Sequence, residues 1–197
     1  MPNVNSPLSE SRFMHHLKNQ FLIAMPQLED PHFEQTVIWL MEHNQEGAFG
    51  LTLNRPSSLL FREIVADLGI DYHSTQAPPT VLWGGPVHPE VGFILHRDNG
   101  QQWANTRPLP GDIQLTTSRD IIEALAAGNG PDDAVLILGY CAWDNGQLEQ
   151  EILDNTWLSV AAEPQFIFDV PLEQRWLQAA RPLGVDIRLM TQPAGHA

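Results

Sequence analysis

The chain has 197 residues, 43% of them hydrophobic and 17% charged, which suits one globular domain with its own core. Aspartate and glutamate number 24 against 10 lysines plus arginines, a formal net charge of −14, and Lys18 is the only lysine. That balance excludes direct nucleic-acid binding through phosphate neutralisation and disfavours docking on anionic lipid.

Met1 to Ser11 is rich in Pro, Asn and Ser, and residues 1–14 read as a flexible leader, with a short helical turn over His15–Asn19. Met1 to Gln20 has no apolar centre of a secretory signal, and no run approaches the ~18–20 apolar residues of a membrane span. The expectation is therefore a cytoplasmic protein with no membrane partner. Phe21–Met25 reads as a buried strand stopped by Pro26. Thr36–Met41, rich in β-branched and aromatic residues, reads as a second strand. A polar connection through Gly47 leads to a returning strand, Ala48–Asn54, where Gly50 signals a bulge or close backbone approach. Phe61, Ile64, Val65 and Leu68 have helical spacing with Gly69 as the stop. Val81–Trp83 is a short strand, Gly84-Gly85-Pro86 a turn, Val91–His96 and Ile113–Thr116 two more strands. Ser118 caps a helix bearing Ile121, Ile122, Leu125 and Ala126, closed by Gly128.

The apolar run Ala134–Leu138 then feeds Gly139-Tyr140-Cys141-Ala142-Trp143-Asp144-Asn145-Gly146, followed by a polar helical run, Gln147–Asn155. This reads as strand, glycine-bracketed turn and helix, with Asn145 as the cap. Such a turn sets backbone N–H groups at the mouth of a sheet, where an anion is favoured. Phe166–Phe168 reads as a short strand or buried turn, Pro171 as the start of a helix carrying Leu172, Trp176, Leu177 and Ala180, and Asp186–Thr191 as a last strand. Residues 192–197 read as a frayed tail. Early hairpin-like strands and later helices between strands give a mixed sheet, of α/β or α+β class, in a single domain over residues 15–191.

Three segments resemble a known family. The first is Phe21–Pro26 with Asp30, Phe33, Thr36-Val37, Glu42-His43, Gly47–Leu51 and Asn54-Arg55-Pro56. The second is Gly84-Gly85-Pro86-Val87 with Gly92–His96. The third is Gly139-Tyr140, Trp143, Gly146-Gln147-Leu148-Glu149 and Trp157. In this order and spacing they are similar to the AlgH/YqgE family of bacterial proteins, over about Gln20 to Gly184. The resemblance implies a compact α/β domain with a strongly bent mixed sheet, partly closed like a barrel and flanked by helices. It supplies no established activity, cofactor or catalytic set. The family carries a transcriptional-regulator label, yet no residues here form a DNA-reading element, so any such role is indirect. It also implies that alanine is common at the position of Cys141, so that a thiol is not a shared reagent.

Cys141, the only cysteine, is the sole nucleophile candidate. A thiolate near a helix N-terminus would be activated, but the glycine spacing of a nucleophile elbow is absent, and a small buried residue packing a tight turn is the alternative. Trp143, Gly146, Gln147 and Glu149 are candidate ligand contacts at the helix start. Asn54 and Arg55 leave a strand, and the guanidinium suits phosphate or carboxylate unless it ties a loop carbonyl. Gly84 and Gly85 form a turn or an anion nest. His43 and His96, both at strand ends, could line one rim. The histidines lack metal-ligand spacing, so no metal and no cofactor is expected. The reading is a non-enzymatic regulatory domain that binds a small, anionic molecule. The alternatives are a cysteine-dependent or redox-responsive enzyme and a protein–protein adaptor, the latter including self-association.

Overall fold

The computed structural model describes residues 17–190. The leader and tail read from the sequence lie outside them, as does His15-His16. Among the described residues nine strands form one continuous sheet. They are β1 (Gln20–Ala24), β2 (Val37–Asn44), β3 (Gly47–Thr52), β4 (Thr80–Trp83), β5 (Val87–Arg97), β6 (Thr106–Leu109), β7 (Ile113–Thr116), β8 (Ala134–Asp144) and β9 (Trp157–Ala161). The order is β6-β7-β5-β8-β3-β2-β1-β9, antiparallel along this path. β4 pairs in parallel with β8, so the sheet is mixed. Among the described residues five α-helices flank it: α1 (Phe61–Asp67), α2 (Arg119–Ala127), α3 (Gln147–Leu153), α4 (Phe166–Asp169) and α5 (Arg175–Ala179).

The sheet curls because β8 belongs to two parts of it. Its first half pairs with β4 and β5, while Cys141–Asp144 pair with β3. Gly139 sits between, with φ +71°, and its left-handed backbone resets the alternation of side chains. Val135, Ile137 and Tyr140 pack with one core; Cys141 and Trp143 pack with the core on the other face. Strand β1 is buried on both faces in the same way: Phe21 and Ile23 join Trp39, Leu51 and Ile137, while Leu22 and Ala24 join Ile38, Leu40 and Trp157. A third cluster lies under α1 and α2, where Phe61, Val65, Ile121 and Leu125 meet Val81, Ile94 and Leu136. The C-terminal helices are clamped by Arg175. Its guanidinium donates to the carbonyls of Leu53, Ile167 (2.6 Å) and Val170 (3.1 Å), and Trp176 Nε1 donates to Ala24 O at 2.8 Å. Burial lowers the Arg175 pKa to about 10, which leaves it charged at neutral pH.

The sequence reading of the hairpin, of β7 and of α2 from Ser118 to Gly128 holds. Gly50 stands opposite the bulge at Met41, and a Cβ there would lie 2.7 Å from Ile38 Cγ2. Other readings are corrected. The stretch Gly139–Asp144 is strand, and only Asn145-Gly146 turn; Gly139 marks a change of face within the ladder. Helix α3 ends at Leu153 and is capped by Gly146 (φ +78°) in place of Asn145. Phe166–Asp169 is helical, and Leu172–Gln174 is a 3₁₀ turn that runs into α5. Of the strand expected over Asp186–Thr191, the described part, 186–190, is no strand: Ile187–Leu189 form a 3₁₀ turn with only Ile187 buried, because Asp186 accepts from Arg188 N and turns the chain. Strands β6 and β9 were not anticipated; both lie at sheet edges, where pairing on one side leaves a weak pattern.

Candidate functional site

The alternation reset at Gly139 turns Cys141 and Trp143 toward a cleft of about 430 Å³. Its walls come from five places in the chain: the segment after β1 (Asp30, Phe33), the turn before β5 (Pro86), the end of β8 (Trp143), α3 (Gln147, Glu151) and the start of β9 (Trp157). Glu151 fixes the aromatic wall. Its Oε2 accepts from Trp143 Nε1 at 2.8 Å and from Trp157 Nε1 at 2.7 Å, and its Oε1 accepts from Gln147 Nε2 at 2.9 Å. The two indoles stand at 84° with centroids 6.3 Å apart, and Phe33 meets Trp157 at 83° and 5.9 Å. Gln147 Oε1 in turn accepts from Asp144 N at 3.0 Å, which closes the turn into α3.

Of the residues expected from the sequence, Cys141, Trp143 and Gln147 line this cleft. Asn54, Arg55, Gly84, Gly85, His43, Gly146 and Glu149 bear on it by support. Asn54 Oδ1 accepts from Val37 N at 2.8 Å and its Nδ2 donates to Gln35 O at 2.8 Å; Arg55 Nη2 donates to Glu34 O at 2.6 Å and Pro31 O at 3.2 Å. These bonds hold the loop that carries Asp30 and Phe33. Gly84 and Gly85 are not an anion nest. Gly84 N donates to Leu138 O and its carbonyl accepts from Thr52 N, and a Cβ on Gly85 would fall 2.1 Å from the Tyr140 carbonyl carbon. Glycine is required there so that the chain can cross β8 and set Pro86 at the cleft. His43, its Nδ1 accepting from Leu17 N at 3.3 Å, directs Nε2 to Glu149 Oε1 at 3.1 Å, a nearly buried bond that braces α3 against β2. Gly146 supplies the left-handed cap. Each of the three motifs thus lends residues to one cleft, Asp30 and Phe33 from the first, Pro86 from the second, and Trp143, Gln147 and Trp157 from the third.

One expectation separates from it. His96 does not share a rim with His43. It pairs with Ala134 at the start of β8, whereas His43 lies beyond Ala48 and Trp143 at its other end. It is fully buried, its Nε2 2.9 Å from Thr116 Oγ1, and burial lowers its pKa. Arg55 also borders a second cleft, of about 550 Å³, with Gln35, Asn54, Glu173, Trp176 and Arg188, on the far side of the same loop. Cys141 is 2% exposed, and its thiol donates to Gly84 O at 3.3 Å beside Thr52 Oγ1 at 3.6 Å. Burial pushes the thiol up to about 12, the opposite of an activated thiolate. Among the described residues no group of three or more His, Cys, Asp or Glu is placed to hold a metal ion, and no helix is long and apolar enough to cross a membrane.

Asp30, Phe33, Glu151 and Trp157 are among the cleft residues that sequence reasoning did not select as site residues. Gln147 and Glu151 are four apart on one helical face, the one local signal that pointed to the second. Phe33 and Trp157 meet only through the β1–β9 pairing.

A curled, mixed α/β half-barrel with three motifs gathered about one cleft defines a class of small bacterial domains. The chain belongs to the AlgH-like family, whose model matches residues 21–188. It is 46% identical over 181 residues to a UPF0301 protein of Saccharophagus degradans (92% of this chain, 89% of that one), and 47% identical over 184 residues to one of Alcanivorax borkumensis (91% and 96%). Its fold is similar to the solution structure of the AlgH protein from Pseudomonas aeruginosa, with a TM-score of 0.71 at 42% identity over the whole of both chains. It is also similar in fold to a protein of Corynebacterium diphtheriae, with a TM-score of 0.65 at 21% identity over 87% of this chain and 89% of that one.

Proposed function

We propose that this protein is a non-enzymatic, cytoplasmic ligand-binding domain with a regulatory role, and that its ligand occupies the cleft walled by Phe33, Trp143 and Trp157. The observation that carries this reading is the convergence of the three motifs on that one cleft. Its volume, about 430 Å³, falls within the range of small-molecule pockets, and rigid aromatic walls with a few fixed polar groups are the usual lining. The cysteine-dependent reading has less support, because the thiol is buried and held protonated. Any effect on gene expression is indirect, since a net charge of −14 opposes contact with nucleic acid.

A second reading places an anionic molecule in the neighbouring cleft, where Arg55 and Arg188 face the same space; Glu173 in that lining weakens it. One screen tests both. Thermal unfolding is followed against amines, nucleotides, phosphorylated metabolites and organic acids. A ligand at about 100 times its Kd adds about 2.7 kcal/mol, worth some 5–10 °C at this size. The expected result is a shift that Gln147→Ala or Phe33→Leu diminishes and Arg188→Ala leaves intact. The reverse pattern moves the site to the second cleft, and a shift indifferent to all three variants rejects both.

A further inference from the structure

We propose that the aromatic cleft takes a small organic cation, an ammonium or guanidinium head group, in place of the anion that the glycine-rich sequence suggests. This rests on the cleft being the binding site and specifies the chemistry it selects.

Three observations favour a cation. The rings of Phe33, Trp143 and Trp157 stand at near right angles to one another in sequence of contact, 83° and 84°, so that they form adjoining walls of a box. Aromatic faces are electron-rich, and such boxes attract ammonium and guanidinium groups. Both indole N–H groups are already committed to Glu151 Oε2, which leaves the tryptophans no donor for an anion. Finally, the lining carries two carboxylates, Asp30 and Glu151, and no Lys, Arg or His. Neither carboxylate enters an ion pair among the described residues.

The helix end beside the cleft does not reverse this preference. α3 is only seven residues long, and its first turn carries Glu149. A cationic ligand would supply the positive charge that the cleft lacks, and the field of a chain with net charge −14 would steer it inward.

The test uses the full-length protein at constant ionic strength, with tryptophan fluorescence and NMR shifts as readouts. The probes are choline, agmatine and the neutral carbon isostere of choline. Choline or agmatine is expected to bind at least about tenfold more tightly than the isostere. Glu151→Gln keeps an acceptor for the indoles and removes the charge; it is expected to weaken the cation about tenfold and to leave the isostere unchanged. Whichever of choline and agmatine binds better identifies the head group. If the isostere matches the cations, or Glu151→Gln changes nothing while Phe33→Leu abolishes binding, the cation proposal is overturned and the cleft stands. If neither cation binds while another molecule from the screen binds at the cleft, the outcome is the same. Cation binding indifferent to both variants overturns the cleft as well. Unchanged near-ultraviolet circular dichroism of the variants keeps misfolding apart from these results.

Discussion

Cys141 and Glu151 lie at the same cleft and are handled in opposite ways. The carboxylate is held at the edge, where three side-chain donors orient it; the thiol is sunk behind Gly84 and kept protonated. The thiol therefore makes a prediction in two parts. Native protein will not react with a thiol reagent at pH 8, and one equivalent will react on unfolding. In addition, the folded thiol sits near 12 against an ordinary value of 9.0, so between these the native state binds the extra proton. Stability is then unaffected by this group below about pH 9 and falls as pH rises above it, by up to about 1.4 kcal/mol per unit. Urea midpoints of wild type and Cys141→Ala, compared from pH 8 upward, should diverge in slope in that direction; parallel curves would refute the burial argument. The sequence left the thiol between an activated nucleophile and a small buried residue, and it could not decide, because the burial depends on Gly84, just past β4, and on Thr52 of β3.

At the scale of elements, glycine serves two different needs, and this explains which parts of the fold could be read. Gly146 adopts φ +78° with open space where a Cβ would stand, so its role is conformational and local. Gly84 has open backbone geometry, but a Cβ there would stand 2.3 Å from Gly139 O, so its role is tertiary. Gly146→Ala should cost about 1 kcal/mol and Gly146→Asn less, whereas Gly84→Ala should cost about 3 kcal/mol or more, as measured by urea denaturation. A similar cost for the two would mean that the crossing of β8 is looser than described. Turn chemistry of the first kind is legible: the Ser118–Gly128 helix and the β2–β3 hairpin were read from their caps and glycines. The second kind misleads. Gly139 looked like the start of a turn, but it meets both needs within a strand: its φ is +71°, and a Cβ on it would stand 2.5 Å from Gly85 O. Strand β6 was hidden for another reason, since Pro108 and Arg107 suit an edge and obscure alternation.

The whole molecule is short of cations, and its stability should show it. With 24 acids against 10 bases, carboxylates outnumber the cations that could pair with them, and the described ion pairs are largely on the surface. Screening then relieves more repulsion than attraction. Raising sodium chloride from ~0.01 to ~0.15 M should raise the thermal midpoint by a few degrees; a fall would show that the ion pairs outweigh the net charge. The curled half-barrel was implied by resemblance and not by periodicity, because curvature arises where β8 joins two parts of one sheet, and no local window contains that junction. The same junction governs the order in which the protein can be completed as it is made. β3, β4 and β5 all await a partner that ends at Asp144, more than two-thirds of the way along the chain. β1, translated first, waits longer still for β9. Until then the nascent chain carries several unpaired edges at once, so its dependence on chaperones should be set by the time between synthesis of β3 and release of β8, and hardly at all by the stability of the finished sheet.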